Sequence, residues 1–216
     1  MNQLYKKIIG VVVSCLLVFS VYFGSFLPLR KSQSFINTMH DLNLNKEPSL
    51  DGFKKSLSVP LDLPSPIGQE ELVRQVASLI MNIINQPNAD PAVINDLLSY
   101  INRYYEPITN NGTGMSFNQN LYILGTMNEV AFVKTNQVKY LEAAKKYYQR
   151  GHELGPNRPQ PLFGLFDVYR MEGNVEQVKA IAGQILSQWP NEERTRQALA
   201  DFLNRSLTKN KQSDKN

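Results

Sequence analysis

His40, His152 and Cys15 are the chain's only histidines and its only cysteine, so soft metal ligands and thiol or imidazole nucleophiles are scarce. A metal site needs several converging ligands, and no second ligand stands near either histidine at a recognisable spacing. His152-Glu153 instead closes the helical pattern from Tyr140 to Leu154, where an imidazole complements the negative end of the helix dipole. Gly112-Thr113-Gly114 is a fragment of a phosphate-cradling loop, but the preceding strand, the further glycines and the lysine are missing. There is no serine nucleophile elbow and no His-Glu-x-x-His. Asn111-Gly112-Thr113 and Asn204-Arg205-Ser206 are acceptor tripeptides for glycosylation, relevant only in a suitable secretory pathway. The sequence therefore predicts no catalytic residue, no cofactor and no metal, and points to a protein that binds.

Charge distribution narrows what it binds. The formal net charge is +4, yet Lys6 and Lys7 supply +2 and residues 200–216 another +2, which leaves residues 30–199 neutral. A nucleic-acid domain concentrates its basic residues on the folded body, so no nucleic-acid partner is expected. Between those ends, Ile8 to Leu29 are 22 residues without a charge, about 33 Å as a helix against a hydrocarbon core of about 30 Å. Lys6 and Lys7 flank one end, Arg30 and Lys31 the other, and Tyr5 and Tyr22 suit the two interfaces.

This run predicts an uncleaved single span, with the lipid bilayer as one partner and the helical domain outside the cytoplasm. A cleaved signal peptide would have a shorter apolar core and a small-x-small site before Arg30. Val12-Val13-Ser14-Cys15 resembles the bacterial lipobox, which would place a lipid on Cys15, but Leu16, Leu17, Val18 and Phe19 follow where polar residues belong.

The elements that must carry any binding site read as helices throughout. Phe35, Ile36, Met39 and Leu42 continue the span as a stalk that ends among Asn43, Asn45 and Pro48. Ser49 caps a short helix to about Leu57, and Pro60, Pro64 and Pro66 predict an extended linker. A stripe of Leu72, Val76, Leu79, Ile80, Ile83 and Ile84 follows Gly68, and Pro87 stops it. Asp90 and Pro91 open the next helix, with Ile94, Leu97, Leu98, Ile101 and Tyr105 inward, so residues 67–106 form a hairpin. Pro107 to Ser116 reads as a loop.

Pro156 and Pro190 stand 34 residues apart and enclose Leu162, Leu165, Phe166, Tyr169, Gly173, Val178 and Ala182. This order resembles the tetratricopeptide repeat (TPR) family. Leu121, Leu124, Gly125, Ala144, Tyr148 and Pro156 resemble a preceding copy, longer by seven residues, about two helical turns. Those residues are expected to lengthen its first helix and the turn around Lys134 to Gln137. A last helix with Leu199, Phe202 and Leu203 inward caps the array. More distantly, Phe53-Lys54-Lys55-Ser56-Leu57 and Gly68-Gln69-Glu70-Glu71-Leu72 resemble the repeat-bearing tail of bacterial O-antigen ligase-like membrane proteins. The membrane domain that does the chemistry in that family is not in this chain.

The expected architecture is all-α: a transmembrane helix followed by an α-solenoid of TPR-like hairpins. The divisions are a flank at 1–7, the span at 8–29, a stalk and linker at 30–66, a hairpin at 67–106, repeats at 117–205 and a disordered polar tail at 206–216. The resemblance implies a groove lined by first helices and filled by a protein or peptide. On this sequence the groove residues are Tyr122, Gln160, Phe163, Asp167, Arg170 and Met171. The expected function is a membrane-anchored, non-catalytic interaction scaffold of the bacterial envelope, the alternative being an accessory or tail fragment of an O-antigen ligase-like glycosyltransfer system.

Overall fold

The computed structural model describes residues 3–44, 49–112 and 116–213, with side chains as far as Thr208. Every element among them is helical: α1 (Gln3–Val21), a π-helical stretch (Tyr22–Phe26), α2 (Leu27–Leu44), α3 (Leu50–Asp62), α4 (Gln69–Ile84), α5 (Pro91–Asn111), α6 (Phe117–Thr135), α7 (Val138–Leu154), α8 (Pro159–Glu172), α9 (Val175–Gln188) and α10 (Glu193–Ser213). Asn45, Pro48, Thr113 and Gly114, which enter the stalk end and the loop expected above, lie outside the described residues. The chain divides into two compact units, one of Met1–Ile80 with Asn95–Asn110, the other of Met81–Ile94 with Asn111–Asn216.

In the first unit α1, the π stretch and α2 form one unbroken helix, long and apolar enough over Gln3–Leu44 to cross a membrane. None of α1 is buried; Val18, Leu16 and Phe19 are exposed like most of their neighbours. So large an apolar surface without protein cover asks for a non-aqueous one. The stalk is not a free rod. Thr38 and Lys31 of α2 are buried under α3, and Lys31 Nζ donates to Leu61 O (3.4 Å), Leu63 O (2.6 Å) and Gln69 Oε1.

The structure corrects the expected linker. Ser49 does cap α3, its Oγ accepting from Gly52 N, but the helix runs through Pro60 to Asp62. Proline deletes the bond to the carbonyl four residues back, here Ser56 O, and Thr38 Oγ1 approaches that oxygen at 3.5 Å. Similarly α5 runs through Pro107 to Asn111, shortening the expected loop. Pro107 and Arg103, whose carbonyl loses its partner, are both exposed.

α3 meets α5 through polar side chains: Lys54 pairs with Asp96 (2.5 Å), and Tyr104 Oη donates to Asp62 (3.0 Å) and Ser58 (3.1 Å). Burial pushes the Tyr100 phenol up to about 12, so it stays a neutral donor to Lys54 O. Leu57, Leu72, Val76, Ile80, Leu97 and Ile101 are buried, as the stripes require.

In the second unit the chain packs serially, α6 on α7, α7 on α8, α8 on α9 and α9 on α10. Leu162, Leu165, Phe166, Tyr169, Val178, Ala182 and Ile185 share one apolar cluster with Ala144 and Tyr148. Two-residue turns close both hairpins: Asn136 (φ 55°) ends α6 and Gly173 (φ 72°) ends α8, each in the left-handed region that favours these residues. The extra length of the first hairpin therefore goes into its helices, α6 and α7 having 19 and 17 residues against 14 each for α8 and α9, and not into the turn. α10 continues to Ser213, past Arg205 where the polar tail was expected, since neither glycine nor proline interrupts it.

Candidate partner groove

α8 begins with Pro159 in its first turn, where proline loses nothing, and ends at Gly173, whose N–H bonds to Arg170 O (3.1 Å). Its apolar face is fully used: Leu162, Leu165, Phe166, Val168 and Tyr169 are buried in the cluster. Phe163, Asp167 and Arg170, spaced by four and three residues, follow one another along a half-buried strip. Opposite them lies the first half of α10. The space between is an open groove of about 600 Å³, lined by Phe163, Phe166, Asp167 and Arg170 from one side and by Arg194, Thr195 and Ala198 from the other. A second hollow of about 630 Å³ adjoins it, formed by Asp167, Arg170 and Met171 against Asp201, Phe202 and Arg205.

Arg170 Nη1 donates to Asp167 Oδ1 (2.8 Å), and the guanidinium lies 5.4 Å from the centroid of the Phe166 ring, a cation–π arrangement. Each charge thus lies beside its opposite, the guanidinium resting against the Phe166 ring. Phe163 stacks on Trp189 (centroids 6.1 Å apart, planes at 27°) and packs against the apolar cluster. It is therefore partly a packing residue and not a freely exposed anchor. Met171, 38% exposed, and Gln160 present their side chains to solvent.

The structure brings Phe163, Asp167, Arg170 and Met171 together; Gln160 lies on the same helix without lining the groove, and Tyr122 belongs to α6. Tyr122 stands 6.2 Å from Tyr148, whose hydroxyl donates to Glu129 Oε2 (2.7 Å). Burial first, then the Asp167 charge, holds the Glu129 carboxyl above its ordinary range, against the hydrogen bond from Tyr148. Burial likewise pushes the Tyr148 phenol up.

No protein-family model, curated protein or solved structure matches this chain. Its chemistry is thus read from its own side chains. Among the described residues no three His, Cys, Asp or Glu side chains gather as a metal site would require. His152 reaches Gln184 (3.3 Å) in the last turn of α7, in the place its sequence position suggested.

Sequence reasoning missed Trp189, Glu129 and the α10 wall. Trp189 had a signal, as the only tryptophan and the immediate neighbour of Pro190. The apolar pattern of the last helix places Phe202 inward but does not single out Arg194, Thr195 or Ala198, which form the other side of the groove.

Proposed function

We propose that this protein is a membrane-anchored, non-catalytic scaffold whose second unit is an array of TPR-type hairpins holding a protein or peptide partner. The observation that carries this reading is the groove between α8 and α10. Four residues picked for a binding face by their repeat positions line it or its adjoining hollow, with apolar side chains beside paired charges of both signs. Such a surface suits an amphipathic helix or extended peptide, since buried apolar contact supplies affinity and charges supply register. The repeat reading is supported by the serial packing and by Gly125 and Gly164, which leave room for Tyr148 between α6 and α8. The anchor reading is supported by the uncovered apolar helix.

The test is affinity purification of the full chain from detergent-solubilised membranes, run in parallel with a Met171→Asp variant. A scaffold retains a stoichiometric protein partner that the variant, folded to the same melting temperature, loses. Identical recovery with both chains contradicts the groove as the binding surface.

A further inference from the structure

The first unit returns a loop to the level at which the apolar helix ends. Thr38 faces Ser56, and Lys31, two turns earlier, faces Leu61 and Leu63, so α3 runs antiparallel to α2 and brings its C-terminus beside residues 27–31. Lys31 also holds Gln69, the first residue of α4. Residues 63–68 are thereby pinned at both ends against the same turn of α2. This segment carries no charge, and its Ile67 is 59% exposed beside an apolar hollow of about 300 Å³ walled by Pro28, Phe35 and Leu72.

Depth follows from geometry. With Ile8–Leu29 filling a hydrocarbon core of about 30 Å, Lys31 lies about 3 Å beyond it, inside a headgroup layer roughly 5–7 Å thick. Whatever Lys31 holds shares that depth. Its ammonium is buried and bonded to oxygens of the protein, so it is not presented to lipid phosphate; Arg30 and Asp62 are exposed at this level, and the segment between Leu63 and Gly68 itself presents Pro64, Pro66 and Ile67.

We propose that residues 63–68 seat in the headgroup layer with Ile67 reaching the hydrocarbon boundary, so that the bilayer is a docking surface for the first unit as well as the solvent of its anchor. This rests on the anchor reading and adds a fixed orientation to it: the unit stands on the membrane and does not swing from a tether.

Single-cysteine variants of the full chain, on a Cys15→Ser background, are labelled with an environment-sensitive fluorophore and reconstituted into phosphatidylcholine vesicles carrying nitroxide lipids. Leu17→Cys reports the span, Ile67→Cys the loop, and Asp51→Cys the far end of α3, roughly 17 Å from Asp62. The expected result is that headgroup nitroxide quenches the Ile67 label several-fold more than the Asp51 label, while aqueous iodide does the reverse. Pro66→Cys repeats the reading should the Ile67 substitution disturb the hollow. If both loop labels respond to iodide as Asp51 does while the Leu17 label is quenched by acyl-chain nitroxide, the loop is in water and the inference fails with the anchor intact. A Leu17 label untouched by acyl-chain nitroxide removes the anchor and the inference together.

Discussion

Tyr148 fills the space that two glycines leave between α6 and α8. A Cβ on Gly164 would lie 2.5 Å from the tyrosine ring, and one on Gly125 closer still. The ring is fully buried and its hydroxyl is committed to Glu129, so it has no easy retreat. Gly164→Ala should therefore cost about 1–3 kcal/mol by overpacking, read as a lowered thermal midpoint. Gly183, with open space around it, provides a control at which alanine is tolerated. Glu129 makes a prediction about pH. Because its folded carboxyl is held above the ordinary range, the folded state binds the proton more tightly than the unfolded chain does. The stability this contributes is fully present below the unfolded value and is lost as pH rises through the folded one. The melting temperature of Glu129→Gln relative to wild type should rise as pH increases from about 4, the ordinary glutamate range, towards neutrality. A difference that stays constant over that range would show that Glu129 titrates alike in both states.

Helix existence was legible because the apolar stripes, Ser49, Asp90 and Gly173 each act locally, through period, cap or turn. The two proline-containing helices were not, because what sustains a helix through proline is not local: Thr38 of another helix approaches the carbonyl that Pro60 strands, and the carbonyl stranded by Pro107 belongs to exposed Arg103. The lining of the groove between α8 and α10 was legible in part for the same reason. Repeat positions select the residues of α8 that leave the seam, but not Trp189, which turns Phe163 from a surface anchor into half of a stacked pair. Phe163→Ala should accordingly lower stability on the order of 2 kcal/mol, less than a fully buried phenylalanine would. Gln160→Ala and Met171→Ala should leave the thermal midpoint in place, both side chains being exposed. Equal midpoints for all three variants would mean that the Phe163–Trp189 stack contributes nothing to α8.

At the scale of the molecule, the chain consists of two compact helical units, the first of which carries an uncovered apolar helix, and that helix and the second unit demand different environments. The helix has no protein cover for its apolar surface, whereas the second unit keeps its apolar cluster inside and leaves a groove with apolar side chains beside paired charges. Composition made this division readable, since the charge-free run and the neutral body are properties of the sequence. No particular partner is written there, because α8 and α10 define a shape and a charge pattern that many peptides would satisfy. The scaffold reading is tested most directly in the membrane itself, by placing a photo-crosslinking amino acid at Met171 in the groove or at Lys179, an exposed position on α9. The account predicts a discrete protein adduct from Met171 and none from Lys179; no adduct from Met171, or the same adduct from both, would contradict it.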